Sequence, residues 1–251
     1  MAVCRSLDHL PPSVALAMRL LQSCRTSLAS ERCPAPAGWQ AGRHASDFGW
    51  GMRVVSPHER IRALVAGLVP ADLVEAEHRR LALAWLDGTT DIFRRSGPCV
   101  PSPHLVSYFP LIDHDSGDVL LVDHRKARLW LPAGGHVEIG EHPVTTVRRE
   151  AREELGIDAV FSPVTRQRPL FVTVTQTAGA VDRHTDVSLW FVLSHCQGQP
   201  LAPDPGEFRQ ARWWTRDDIR RSESAMFDPH MARMLAKFDR ARRAGDGGQL
   251  T

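Results

Sequence analysis

The sequence predicts a mixed α/β sandwich, preceded by a helical hairpin over residues 56–95 and a flexible leader over residues 1–55. Three observations support this prediction. Short apolar and β-branched segments recur after residue 104, amphipathic helices lie between and after them, and the apolar residues of 56–95 have helical spacing. Strands that alternate with helices in this way are typical of an α/β fold.

The leader contains four prolines within residues 11–36 and little sustained periodicity. We expect one short helix there, over residues 13–28. Met52 begins the first segment with a regular pattern, so a translation start at Met52 instead of Met1 is the alternative to a flexible leader.

The hairpin begins with a recognisable helix start. Ser56 is a suitable N-cap, Pro57 occupies the first helical position, and Glu59 follows three residues after the cap. Pro70 ends this helix, and a second helix extends to about Leu86. The hairpin either covers a sheet edge or forms the contact of a homodimer.

The domain predicted after the hairpin covers residues 103–245. Its strands are short apolar or β-branched runs bounded by turn residues. They are expected at Leu105–Ile112, Val119–Val122, Leu129–Leu131, Leu170–Thr175, Ser188–Leu193 and Ala211–Trp214. A Gly134-Gly135 turn precedes an amphipathic helix near residues 143–155, and a last helix opens at Asp228-Pro229.

Composition excludes several classes of function. Hydrophobic residues make up 43% and charged residues 24%, as in globular proteins, and the 31 basic and 29 acidic residues leave a net charge of +2. We therefore expect no polymeric nucleic acid as partner. Five cysteines without a CxxC pair favour a reducing, cytoplasmic setting. The longest uncharged stretches are too short or too rich in proline for a membrane span.

Three carboxylates mark the helix near 143–155 as chemically interesting. Glu150, Glu153 and Glu154 have the i, i+3 and i+4 spacing that places side chains on one helical face. Such carboxylates repel one another, and a hard divalent cation such as Mg²⁺, which binds oxygen ligands, would compensate them. Arg149 can orient one carboxylate, and glycine at Gly135 permits close approach of the backbone. Taken alone, however, an acidic helix face is more often simply solvated.

The complete spacing from Gly135 to Ile157 resembles the Nudix box, Gly-x5-Glu-x7-Arg-Glu-U-x-Glu-Glu-x-Gly-U, in which U is apolar. Every fixed position is filled, and Ala151 is small for its apolar position. The resemblance implies a Nudix fold, a mixed-sheet α/β/α sandwich. It also implies hydrolysis, dependent on Mg²⁺ or Mn²⁺, of a diphosphate linkage in a nucleoside triphosphate or in a nucleoside diphosphate linked to another moiety.

The resemblance also implies roles for individual residues. Metal ligands would be the Gly135 carbonyl, Glu150, Glu153 and Glu154, whereas Glu150, Glu153 and Arg149 would take part in catalysis. Arg149 would orient a glutamate, and Glu141 would be a structural partner of the loop and helix. Many members use an acidic residue in a later loop, for which Glu207 is the best match. A surface glutamate without function is the equal alternative for Glu207.

Two other functions remain open at this point. A non-catalytic Nudix-like nucleotide-binding or sensor domain would explain the fold, although the retained carboxylates favour the enzyme. An isomerase of the same fold would require a cysteine near a glutamate, and Cys196 has no supporting motif. The histidines lack HExxH spacing, so we expect most of them at surface or edge positions; His136 and His142 flank the box.

Overall fold

The computed structural model describes residues 55–95, 100–177, 183–222 and 224–247. The predicted helix over residues 13–28 and the alternative start at Met52 lie outside these residues. Every element below belongs to one unit of the chain, which begins at Pro57.

The described residues contain five α-helices and nine β-strands. The helices are α1 (Pro57–Ala66), α2 (Leu73–Gly88), α3 (Pro143–Leu155), α4 (Arg216–Arg221) and α5 (Met231–Gly247). The strands are β1 (His104–Phe109), β2 (Leu111–Ile112), β3 (Val119–His124), β4 (Trp130–Leu131), β5 (Ala133–His136), β6 (Phe171–Gln176), β7 (Thr185–Trp190), β8 (Leu193–Ser194) and β9 (Phe208–Trp214). The predicted mixed α/β/α sandwich is confirmed.

The strands form two mixed sheets. The first has the order β5-β1-β7-β6, with β1 antiparallel to β5 and parallel to β7. The second has the order β4-β3-β2-β8, and β9 pairs with β3. Helix α3 packs on β5 and β1 of the first sheet. The ends of β1, β5 and β7 therefore lie next to one another.

Two predicted strands each divide between the two sheets. The run Leu105–Ile112 is interrupted at Pro110, which has no N–H for a ladder and separates β1 from β2. The run Ser188–Leu193 is interrupted after Trp190, where the Phe191 N–H donates to the Tyr108 carbonyl at 2.8 Å. Both segments thus leave the first sheet at the same level and continue in the second.

The predicted Gly134-Gly135 turn is wrong. Both glycines belong to β5, where Gly134 pairs with Tyr108 and Gly135 pairs with Ser107 of β1. A Cβ on Gly134, whose φ is +149°, would lie 2.8 Å from the Tyr108 Cα. The glycines are needed because the two strands and the helix approach closely, not because the chain reverses.

Helices α1 and α2 form the expected hairpin. Helix α1 ends at Ala66, before the predicted Pro70, and the Arg79 guanidinium of α2 donates to the carbonyls of Val65 and Ala66. Asp72 caps α2 by accepting from the Glu75 N–H at 2.8 Å. Helix α2 packs against β6, the edge strand of the first sheet.

The main apolar core joins the second sheet to α5 and to β6 and β7 of the first sheet. Its residues are Ile112, Val119, Leu121, Trp130, Leu170, Phe171, Trp190, Val192, Trp214, Ile219, Phe227, Met231, Met234, Leu235 and Phe238. Among the helices that the structure describes, none is both long enough and apolar enough to cross a lipid bilayer.

Candidate functional site

A cavity of about 1420 Å³ lies between β5, α3, the start of β9 and the segment before α5. Its volume exceeds the 300–1,000 Å³ that is usual for small-molecule pockets, which leaves room for an extended ligand. Arg94 and Lys126 supply positive charge to the wall, whereas Glu150, Glu154 and Glu207 supply negative charge. The cavity therefore places acidic and basic groups where one ligand can meet both.

Helix α3 is held in register by both of its ends. His142 caps the N-terminus, where its Nδ1 accepts from the Val144 N–H at 3.2 Å, and Pro143 occupies the first turn. Gly156 ends the helix in the left-handed region at φ +67°, a conformation in which glycine is favoured. Ala151 and Leu155 are fully buried against the sheet. The small side chain at Ala151 fits this close contact.

Glu154 is the most buried carboxyl group of the site. Its side chain is only 6% exposed, and its Oε2 accepts from the Gly134 N–H at 2.8 Å. Burial raises the pKa of Glu154 to about 9, and the neighbouring carboxylates of Glu150, Glu207 and Asp204 add to the rise. The Gly134 N–H opposes the rise but does not outweigh it. The carboxyl group therefore lacks a sufficient positive partner among the described residues.

Glu150 lies against the backbone of β5. A Cβ at Gly135 would overlap the Glu150 carboxyl group, so only glycine permits this approach without displacing the side chain. Burial raises the pKa of Glu150, although the Arg149 guanidinium counteracts the shift. The backbone of Gly135 and the carboxylates of Glu150 and Glu154 consequently meet at one end of the cavity.

The Arg149 guanidinium links the carboxylates of α3 to β5 and to the loop between them. Its Nη1 donates to Glu150 Oε1 at 2.7 Å and to Glu153 Oε2 at 3.1 Å, and its Nη2 donates to the His136 carbonyl at 3.1 Å. Nη2 also donates to Glu141 Oε2 at 3.1 Å. One guanidinium thus fixes three carboxylates and the end of β5 relative to one another.

Glu141 holds the loop between β5 and α3. Its Oε2 accepts from the Thr146 hydroxyl at 2.8 Å and from the Glu138 N–H at 3.1 Å. Burial disfavours the charged carboxylate, but hydrogen bonds from Arg149, the Glu138 N–H and Thr146 outweigh it, so the pKa of Glu141 is lowered. Glu141 is therefore an anion that orients the loop and Arg149.

The remaining predicted residues are placed differently. Glu153 is 59% exposed and is not part of the cavity wall, although Arg149 holds it beside Glu150. Glu207 directly precedes β9, lines the cavity and lies 4.0 Å from His124 Nε2. Its charge contributes to the raised pKa values of Glu150 and Glu154. The structure therefore brings Glu207 to the same cavity as Glu150 and Glu154 and leaves Glu153 at the edge.

Cys196, the residue considered for an isomerase, is exposed and lies outside the cavity wall. It follows β8 in the second sheet, whereas the carboxylates of α3 lie against the first sheet. The arrangement does not place a thiol beside a glutamate of the site.

The sequence profile of the NUDIX domain matches residues 103–238, which is more than half of the chain. The chain belongs to the Nudix family. Nudix proteins are generally metal-dependent pyrophosphohydrolases, and the oxygen donors gathered around Glu150 and Glu154 are of the kind that hard divalent cations bind.

Solved Nudix structures resemble this chain at low sequence identity. A Nudix-family hydrolase from Clostridium perfringens is 20% identical, with 56% of this chain and 97% of that chain covered and a TM-score of 0.42. The dihydroneopterin triphosphate pyrophosphohydrolase of E. coli is 18% identical, with coverage of 59% and 97% and a TM-score of 0.41. A C. elegans Ap4A hydrolase is also 18% identical, with coverage of 56% and 98% and a TM-score of 0.41. No curated protein matches the sequence.

The sequence interpretation missed one cluster beside the Nudix box. His104 is fully buried, although the histidines were expected mostly at surface or edge positions, and it lies with His136, His184 and Asp186. The last three line the cavity. His136 reaches this cluster because β5 pairs with β1. The sequence predicted a turn at Gly134-Gly135 instead of this strand, so the cluster was not expected.

Proposed function

We propose that this Nudix protein is a hydrolase that uses Mg²⁺ or Mn²⁺ to cleave a diphosphate linkage. The substrate would be a nucleoside triphosphate or a nucleoside diphosphate linked to another moiety. The observation that supports the proposal most directly is that Gly135, Glu150, Glu154 and Glu207 all line a single large cavity.

The residues present fit a divalent cation. Glu154 is buried beside other carboxylates, and its described polar partner is the Gly134 N–H. A buried carboxylate without an adequate cation is costly, as its raised pKa of about 9 reflects. Oxygen donors from Glu150, Glu153, Glu154 and the Gly135 carbonyl would form the ligand set. When bound, the cation would polarise phosphoryl oxygens and lower the pKa of a coordinated water.

Arg149 would position the ligands without contacting the substrate phosphates. Its Nη1 is shared by Glu150 and Glu153, so the two carboxylates are held side by side even though Glu153 is exposed. The Glu141 carboxylate holds the other edge of the guanidinium. Displacement of reacting groups by about 1 Å can cost about 100-fold in rate, so this orientation is expected to matter for turnover.

Glu207 is the group that we propose to accept the proton of the attacking water. The Glu207 side chain is half-exposed, 46%, whereas Glu154 is only 6% exposed. The backbone N–H and carbonyl of Glu207 form hydrogen bonds, and its carboxylate lies 4.0 Å from His124 Nε2. A general base must lie within reach of the attacking water, and the Glu207 carboxylate lines the cavity and is accessible to solvent.

Cationic residues on the cavity wall support a phosphate-bearing substrate. Arg94 and Lys126 line the cavity with the carboxylates. A diphosphate would lie between these cations and the metal, while the remaining volume would accept the nucleoside and its attached group. The wall also contains apolar surface from Ile139, Phe227 and Met231, which suits the less polar part of a nucleotide.

A substrate panel with the full-length protein tests the proposal. The panel should contain nucleoside triphosphates, nucleotide sugars and dinucleoside polyphosphates, each with Mg²⁺, with Mn²⁺ and with chelator. We expect release of a nucleoside monophosphate or of phosphate from at least one compound, and only with the cation. Absence of turnover across the panel would favour the sensor alternative.

Matched variants test the site itself. Glu154→Gln and Glu153→Gln should each lower kcat by about 100-fold or more with an intact fold, because each removes a negatively charged ligand. Glu207→Gln should lower kcat with KM nearly unchanged. Glu77→Gln is the control, because Glu77 is a helical glutamate paired with Arg80 outside the cavity. Near-wild-type rates in both Glu153→Gln and Glu154→Gln would refute the metal site.

A further inference from the structure

We propose that His104, His136, His184 and Asp186 form a second metal site, a tetrahedral site for Zn²⁺ that is separate from the carboxylate cluster. The four residues come from three neighbouring strands or strand ends. His104 begins β1 and pairs directly with Asp186 of β7, and His136 ends β5 opposite Val106 of β1. His184 immediately precedes β7. Sheet pairing therefore brings the side chains together without any short sequence motif.

The donor atoms lie close enough together to reach one metal ion. One donor atom from each of the four residues lies within 4.8 Å of all the others. His104 Nε2 and His184 Nε2 lie 3.1 Å and 3.3 Å from Asp186 Oδ1. A tetrahedron with bonds of about 2.0–2.1 Å to zinc has edges of roughly 3.3 Å. The two His–Asp distances, 3.1 Å and 3.3 Å, are close to this edge length.

One of these atoms lacks a hydrogen bond in the described structure. His136 Nε2 is buried without a hydrogen-bond partner, whereas His104 Nε2 and Asp186 Oδ1 lie 3.1 Å apart as an ion pair. Buried polar atoms are almost always satisfied, because leaving one unpaired costs about 1–3 kcal/mol. A cation bound here would satisfy His136 Nε2 together with the ion pair beside it.

The hydrogen bond of His104 Nδ1, the ring nitrogen that faces away from the cluster, also supports a metal site. Its Nδ1 lies 2.7 Å from the Pro101 carbonyl oxygen. A carbonyl only accepts hydrogen bonds, so the proton of the neutral ring is on Nδ1 and the lone pair of Nε2 points toward the cluster. A ring N–H donated to a backbone carbonyl is the usual way in which proteins orient a histidine that binds metal.

The donor set distinguishes this site from the carboxylate site. Three imidazole nitrogens and one carboxylate suit Zn²⁺, whereas Mg²⁺ prefers an all-oxygen shell. Four protein ligands close the coordination sphere, as in structural zinc sites. The metal would hold β5 to β1 and β7, and β5 carries Gly134 and Gly135 to the carboxylates of α3. Its role would be to fix the strand on which the catalytic geometry depends.

Metal analysis of the full-length protein tests the proposal without reference to activity. The protein should be stripped with chelator, loaded with Zn²⁺, dialysed against Mg²⁺-containing buffer and analysed for zinc. We expect one equivalent of zinc to remain. Stripped wild-type protein loaded with Co²⁺ should show the intense visible absorption of tetrahedral cobalt with nitrogen ligands. This second measurement needs no variant, and a wild-type protein that retains no zinc or shows only weak octahedral bands would overturn the proposal.

Variants then locate the metal. His136→Gln and Asp186→Asn should each weaken zinc binding by about 100-fold or more, and zinc should no longer raise their Tm. His230→Gln is the matched control, a buried histidine outside the cluster, and should retain zinc. Glu154→Gln should also retain zinc. Loss of zinc in Glu154→Gln together with retention in His136→Gln and Asp186→Asn would assign the metal to the carboxylates and refute the second site.

Discussion

Replacing each of the two adjacent glycines of β5 by alanine, one at a time, distinguishes a contact that stabilises the fold from a contact that shapes the site. Gly134 and Gly135 both face close neighbours, but the neighbours differ in kind. A Cβ on Gly134 would overlap the backbone of Ser107 and Tyr108, which belongs to β1. A Cβ on Gly135 would overlap the carboxyl group of Glu150, which is the mobile end of a side chain. We therefore expect Gly134→Ala to destabilise the protein and Gly135→Ala to impair the site.

The magnitudes follow from these contacts. For Gly134→Ala, a side chain at positive φ costs about 1–2 kcal/mol, and separating paired strands to relieve overlap costs about 1–3 kcal/mol more. Unfolding should thus be easier by about 2–5 kcal/mol. For Gly135→Ala, the Glu150 side chain can rotate away only by giving up its hydrogen bond from Arg149, so unfolding should become easier by about 1.5–3 kcal/mol. The displaced carboxylate should lower kcat/KM by about 100-fold.

Urea unfolding and hydrolysis of the best panel substrate measure the two effects on the same preparations. Gly117→Ala is the control for positive φ, because its φ is +76° and nothing lies near its Cβ. Wild-type turnover in Gly135→Ala would show that the position of Glu150 against β5 is not part of the active geometry. Wild-type stability in Gly134→Ala would contradict the close pairing of β5 with β1.

Two further predictions concern charge. The raised pKa of Glu154, about 9 against an ordinary 4.5, means that the folded protein binds this proton more tightly than the unfolded chain. The stability of metal-free protein should therefore fall as pH rises from about 5 to about 9, by at most about 5 kcal/mol. Urea unfolding in chelator should show a smaller fall for Glu154→Gln than for wild type. Wild type in Mg²⁺ without chelator should also show a smaller fall. Equal slopes for wild type and variant would contradict the burial of Glu154. Lys237 of α5 lies 2.6 Å from Glu75, which is fully buried in α2, so Lys237→Met should cost about 3 kcal/mol by urea unfolding. Adding Glu75→Gln to Lys237→Met should recover part of this loss, and no recovery would show that the carboxylate is not the source of the cost.

Much of the Nudix domain could be predicted from residues that lie close together in sequence. The motif from Gly135 to Ile157 encodes a helix whose acidic residues recur at i, i+3 and i+4, and this spacing is a property of the chain alone. Gly156 ends α3 where the left-handed conformation requires glycine. The start of α1 at Pro57 was likewise predicted from residues adjacent in sequence.

Long-range pairing explains the errors. The Gly134-Gly135 segment contains no β-branched residue, so no local pattern marks it as a strand, and it becomes β5 only because β1 is available as a partner. The strand divisions at Pro110 and after Trp190 depend on the second sheet. Residues Glu150, Glu153 and Glu154 share one helical face in the sequence pattern, but only packing decides that Glu154 is buried and Glu153 is exposed.

The sequence by itself determined the family and the carboxylate helix, because both depend on spacing within one continuous segment. Tertiary structure alone decided which carboxylates face the cavity, how Glu207 joins them, and that His104, His136, His184 and Asp186 converge. Those arrangements depend on which strands become neighbours. Residues far apart in sequence meet only when the whole sheet forms, and local periodicity does not show which strands will pair.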